Sequence, residues 1–116
     1  MRHGKEGRKF GRKRGQRRAF VKGLAANLIV RRKMTTTEAR AKEVRPVVER
    51  LVTHAKKQNL ASLRFLLSKL PKNAVYTLYH DIAPKYASRK GGYTRITKLA
   101  KRRVHDAAQM AVIEFV

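Results

Sequence analysis

Thirty Lys and Arg side chains against seven Asp and Glu give this 116-residue chain a formal charge of +23, and like charges repel more strongly as a chain compacts. Whatever fold it adopts must keep those cations at the surface and be completed by something negative. Nucleic acid is the obvious polyanion, because displacing its condensed counterions drives binding. The excess is unevenly placed. Residues 1–33 hold 13 basic side chains and one acidic, residues 34–83 hold nine and four, and residues 84–116 hold eight and two. The packed body is therefore expected in the middle, with basic material at both ends. Hydrophobic residues make up 42% of the chain, enough for a core, though a small one.

The opening, MRHGKEGRKFGRKRGQ, alternates basic residues with Gly4, Gly7, Gly11 and Gly15, and Phe10 is its only bulky apolar side chain besides Met1. Such a segment buries too little surface to offset its ordering entropy. We expect residues 1–16 to be a tail that is disordered until bound, followed by a single α+β domain over residues 17–116. The Arg-rich start lacks the apolar run of a secretory signal, and its glycines speak against an amphipathic transit helix. The mainly apolar stretch 24–30 is too short to span a bilayer. With no Cys, a disulfide scaffold and a Cys-based zinc site are excluded.

Helical periodicity begins after the tail. Phe20, Leu24 and Leu28 recur at i, i+4 and i+8 with Val21, Ala25 and Ile29 beside them, predicting a basic amphipathic helix over about 17–33. Thr35 and Glu38 have the spacing of a capping box. The stripe Ala41, Val44, Val48, Leu51 and Ala55 then predicts a second helix. Pro46 either kinks it or starts a new one at N1, and one kinked helix is the favoured reading. Asn59 is the expected N-cap of a third helix with Leu63, Leu66, Leu67 and Leu70 on one face, ended by Pro71. Asn73 is expected to cap a fourth over residues 74–83, closed by Pro84.

The period changes to two in residues 93–99, where Tyr93, Arg95, Thr97 and Leu99 alternate with Thr94, Ile96 and Lys98. Residues 110–116 form a second strand, apolar except for Glu114. An antiparallel hairpin with a basic connection is the simplest arrangement. A further short strand near 33–36 is weakly signalled. The expected fold is α+β: about four helices on a small, antiparallel-containing sheet, with an extended basic N-terminal tail.

Catalysis finds little support. His3, His54, His80 and His105 are scattered, and His80-Asp81 and His105-Asp106 have no further His or Asp cluster to make a metal site. No phosphate-binding glycine loop occurs, and so few acids leave little for paired-carboxylate chemistry. We expect no catalytic residues, no metal, no cofactor, no small-molecule substrate, no membrane and no obligate homo-oligomer. Three basic features remain as RNA-binding candidates. The first is the tail and its junction: Arg2, Lys5, Arg8, Lys9, Arg12, Lys13, Arg14, Arg17 and Arg18, with His3 among them. The second is Ser88-Arg89-Lys90-Gly91-Gly92-Tyr93 running on to Arg95. There the glycines let backbone approach phosphate, and Tyr93 either stacks on a base or packs in the core. The third is Lys101, Arg102 and Arg103 at the hairpin tip, which either bind phosphate or are simply exposed. Composition alone does not separate RNA from DNA, and a nucleoid-type DNA-binding protein is the alternative reading.

Certain runs are more specific. Met1-Arg2-His3, Gly7-Arg8-Lys9 and Arg12 resemble the opening of the bacterial large-subunit ribosomal protein L17 family. So do Thr36-Thr37, the run ARAKEVRP from Ala39 to Pro46, Ala55-Lys56, Ile82-Ala83-Pro84, Gly91-Gly92-Tyr93-Thr94-Arg95-Ile96 and Met110-Ala111-Val112-Ile113-Glu114. The resemblance implies a structural protein of the cytoplasmic large ribosomal subunit, bound to 23S-type rRNA beside neighbouring ribosomal proteins on the solvent side near the polypeptide exit region. It also implies helices packed on a small sheet, a long bent second helix and an extended basic N-terminus. By the same resemblance Arg2, His3, Lys5, Arg8, Lys9, Arg12, Arg89 and the stretch from Gly91 to Arg95 contact rRNA. The chain departs from the family pattern at Gly15-Gln16, at Arg31-Arg32 and across the hairpin connection.

Overall fold

The computed structural model describes residues 7–116; Arg2, His3 and Lys5 lie outside them. The order of elements is α1 (Arg14–Arg31), β1 (Lys33–Thr37), α2 (Glu38–Ala55), α3 (Leu60–Lys69), α4 (Lys72–Tyr76), β2 (Thr94–Lys98) and β3 (Met110–Phe115). The helical path of α4 continues through a π turn, Thr77–Ile82, and a 3-10 turn, Ala83–Tyr86. Among the described residues the expected α+β architecture is present, with four helices and one small antiparallel sheet.

Helix α2 runs through the middle. Its stripe of Ala41, Val44, Val48, Leu51, Val52 and Ala55 is buried, and Pro46 lies inside one continuous helix. The same core takes in Ala25, Leu28 and Ile29 of α1, Leu66 of α3, Val75, Leu78 and Ile82 of the fourth helical path, and Ala111 and Ile113 of β3. Each comes from a segment whose apolar spacing matches its own period, so burying one face of each element closes a shared core.

The sheet has the order β1-β3-β2, antiparallel throughout. The weakly signalled strand is real and pairs with β3, which is therefore central. Five residues, three of them Thr, show no apolar alternation to read, but Thr is at home in strands. Ile113 lies between Met34 and Ile96 on the inner face. Across the outer face, Glu114 is flanked by Lys33 at 4.0 Å and Arg95 at 2.8 Å. That accounts for the lone acid in β3, as opposite charges on facing strands attract.

Four expectations need correction. Helix α1 starts at Arg14, three residues before the expected start at residue 17, since a polar first turn carries no periodic signal. The cap of α2 is Thr37, whose Oγ1 accepts the Arg40 N–H at 3.3 Å, and not Thr35, which is in β1. Pro84 does not end the fourth helical path, and Asn73 lies within its first turn, which starts at Lys72. The Ala83 N–H donates to the carbonyl of Leu78, five residues back, and Pro84 then enters the first turn of the 3-10 segment, where a missing N–H costs least. The extension carries Tyr86 into the core against Tyr93 and Phe115.

Glu38 ties the start of α2 to the edge of the sheet, meeting Lys42 at 2.9 Å and Lys98 at 3.4 Å. The hydrogen bond from Lys42, together with the charges of Lys42 and Lys98, outweighs burial and lowers its carboxyl below the ordinary value. A carboxyl lowered in the folded state adds stability above its unfolded pKa and loses it as pH falls through the folded one. Glu38→Gln should therefore shift the urea midpoint at neutral pH. The difference from the parent should shrink as pH falls below about 4.3 and vanish in stronger acid. A difference that stays constant through that range contradicts the assignment.

Candidate nucleic-acid interface

All six acids among the described residues are paired: Glu38 as above, Glu43 with Arg8, Glu49 with Arg45, Asp81 with Arg32, Asp106 with Arg103, and Glu114 with Lys33 and Arg95. Most Lys and Arg in the described residues meet no carboxylate. Where those surplus cations collect decides where a polyanion can sit.

The largest collection surrounds the start of α1. Lys13, Arg14, Arg17 and Arg18 crowd its first turns, which contain no acid. Cations there oppose the positive end of the helix dipole. An anion at the same place is favoured twice, by the exposed N–H groups and by the side chains. The preceding loop is anchored rather than loosely appended. Phe10 packs edge-on against Phe20 with ring centres 5.2 Å apart. The Arg12 guanidinium lies 3.9 Å from the centre of the Phe20 ring and donates to the Phe10 carbonyl at 2.8 Å. Arg8 reaches Glu43 of α2 at 3.0 Å, and Lys9 is exposed beside it.

Between α1, α2 and α3 this region opens into a groove of about 750 Å³. Val21, Ala25, Val47, Leu51 and Leu70 form its apolar floor. Arg8, Lys9, Arg17, Arg18, Lys22, Arg50 and Lys69 line it with charge. His54 and Phe65 contribute an aromatic pair with ring centres 4.2 Å apart. Lys22, Arg50, His54, Phe65 and Lys69 are not among the candidates read from the sequence. They are scattered over three helices and form no local motif. The stripe Glu43, Val47, Arg50 and His54, at i, i+4, i+7 and i+11 on α2, is the one linear trace of it.

The glycine turn occupies the opposite flank of α2. Glu49 Oε1 accepts the Tyr93 N–H at 2.9 Å, while its other oxygen takes Arg45. Lys56 Nζ donates to the Tyr93 hydroxyl at 2.9 Å and also to the Arg89 carbonyl. Gly92 has φ +63°, a conformation that favours glycine. Arg89, Lys90, Gly91 and Gly92 are exposed, as is Arg95 next to Glu114. Tyr93, only 2% exposed, takes the core alternative and offers no free face for stacking.

At the hairpin tip, Arg103 grips Asp106 through two nitrogens, holding that carboxyl well below the usual carboxylate range. Arg102 donates to the Ala107 carbonyl at 3.1 Å. Two of the three tip cations thus shape their own loop, and Lys101 is exposed. The Glu38 N–H donates to the Gln109 carbonyl, and Arg8 lines a shallow recess with Lys42, Ala108 and Gln109. The fold therefore brings the base of the hairpin connection toward the N-terminal loop and keeps the glycine turn apart from the groove. Among the described residues no group of His, Asp and Glu could hold a metal ion, and no helix is long and apolar enough to cross a membrane.

Comparison with known families matches residues 20–116 to the family described as Ribosomal protein L17. A curated relative from Hydrogenobaculum is 47% identical, covering 100% of this chain and 99% of its own length. One from Persephonella marina is 49% identical over 100% and 95%, and one from Shouchella clausii 44% identical over 93% and 97%. Each of the three is named large ribosomal subunit protein bL17.

Proposed function

This chain belongs to the ribosomal protein L17 family, and from that premise we propose that it is a structural constituent of the large ribosomal subunit that binds and stabilises 23S-type rRNA. The role is architectural and not enzymatic. The observation that carries the RNA reading is the collection of cations without acidic partners at the acid-free start of α1, continuous with a basic N-terminal segment. Phosphates placed there replace the missing negative charge, and Arg adds bidentate contacts that fix orientation. The exposed cations of the glycine turn supply a second phosphate contact on the other flank of α2. Two contacts on opposite flanks suit a protein wedged between RNA segments better than one lying along a single duplex.

Arg2, His3 and Lys5, which precede the described residues in sequence, add their charge to the first contact with RNA. The position assigned is the solvent side near the polypeptide exit region, in company with neighbouring ribosomal proteins, in line with the family resemblance. Binding to protein-free 23S-type rRNA and to duplex DNA of equal total charge, at one salt concentration, tests the reading. Tighter binding to the rRNA is expected. Equal or tighter binding to the DNA overturns it.

A further inference from the structure

The groove between α1, α2 and α3 combines two properties that a phosphate contact alone does not require. Its cations, Arg18, Lys22, Arg50 and Lys69 among them, stand around an aromatic pair rather than over a purely polar surface. Phe65 stacks on His54 with an interplanar angle of 31° and keeps 37% of its surface exposed. Lys69 Nζ lies 5.7 Å from the centre of the Phe65 ring. Among the described residues the one acid in the lining, Glu43, is already held by Arg8. The volume, about 750 Å³, falls within the range of small-molecule and cofactor sites.

We infer that this groove seats an unstacked base from a single-stranded segment of rRNA on Phe65, with the flanking phosphates held by Arg18, Lys22, Arg50 and Lys69. The inference rests on the reading of the chain as an rRNA-binding protein and adds to it a defined nucleotide site. A base has a π face for Phe65 and carries phosphates on both sides for the cations. This pairing of aromatic platform and basic walls is the chemistry by which single strands are held, without a requirement for one particular base. A duplex would present only phosphates and leave the aromatic pair uncovered. An acidic peptide would satisfy the cations but bring no flat face to the ring.

The chain has no Trp, so Phe65→Trp places a single fluorophore at the proposed platform. A single-stranded oligoribonucleotide should quench its emission at the same concentrations at which labelled RNA shows binding by anisotropy. A poly-glutamate peptide of equal charge should bind more weakly and leave the emission bright. Phe65→Leu keeps an apolar cover over His54 but removes the platform. It should weaken binding of the oligoribonucleotide about tenfold to a hundredfold with an unchanged thermal midpoint. Binding by anisotropy without quenching, or full affinity in Phe65→Leu, overturns the nucleotide site and leaves the rRNA reading standing. Tighter binding of poly-glutamate than of RNA also overturns the site, in favour of a polypeptide partner. Absence of RNA binding by either signal overturns the site and the reading on which it rests.

Discussion

Removing residues 1–9 should lower affinity for 23S-type rRNA by on the order of a hundredfold to a thousandfold near 0.1 M salt, while the folded body stays intact. The segment contains four cations, Arg2, Lys5, Arg8 and Lys9, and one acid, Glu6. Each that neutralises a phosphate contributes roughly 0.7 to 0.9 to the slope of log affinity against log salt, so the slope should flatten by about 3. The cut falls before Phe10 because Phe10 and Arg12 both pack on Phe20. A cut after Gln16 would also take the first turn of α1. Within the described residues, the folded body loses the partly exposed Arg8–Glu43 pair, a class of interaction that contributes about 0–1 kcal/mol, and the hydrogen bond from the Arg12 N–H to the Lys9 carbonyl at 3.1 Å. Circular dichroism and thermal melting check the fold, and filter binding over a salt series checks the slope. An unchanged slope would make the segment a bystander.

Tyr93→Ala should destabilise the chain by about 3–5 kcal/mol, a large share of the total for a domain of this size. Tyr93 is among the largest fully buried side chains and packs on Tyr86 with ring centres 5.3 Å apart. Its backbone and hydroxyl join four parts of the chain. Its N–H goes to Glu49, its carbonyl accepts from Val116 at 2.9 Å, and its hydroxyl accepts from Lys56 and donates to the Arg89 carbonyl at 3.3 Å. Tyr93→Phe retains the ring and should cost only about 1 kcal/mol. Urea unfolding at low temperature measures both. A base-stacking role makes the opposite forecast for Tyr93→Ala, with RNA affinity lost and stability unchanged.

Residue 93 also illustrates how far the sequence can be read. The run from Gly91 to Ile96 is recognisable as a motif, and alternation after it marks a strand. Whether the Tyr faces RNA or core depends on Glu49 and Lys56, which are more than thirty residues away. Helices α2 and α3 are legible because their apolar stripes are long and uninterrupted and Asn59 offers an unambiguous cap, with its side chain accepting the Ser62 N–H. β1 is barely legible because its partner, β3, is distant in sequence and its own residues are mostly Thr. Pro84 misleads because a local rule for helix ends gives way when the Leu78 carbonyl is taken by a residue five positions on.

The candidate interface divides in the same way. Residue type alone identifies the cations of the tail, the α1 junction and the glycine turn. It does not show that Arg103 is held by Asp106, or that Arg102 bonds within its own loop. Nor does it bring Phe65 and His54 together with Arg50 and Lys69, because each of these looks unremarkable in its own helix. Charge counts say how much anion is needed; only the packing of α1, α2 and α3 says where an aromatic face accompanies it.

Whether this chain is held in the large ribosomal subunit by rRNA can be read from gradient sedimentation of tagged protein from a cell lysate at moderate salt. The protein should comigrate with the large subunit, move to the top of the gradient after ribonuclease treatment, and not respond to deoxyribonuclease. A chain that stays free at the top, or that sediments with chromosomal DNA and is released by deoxyribonuclease alone, contradicts that placement.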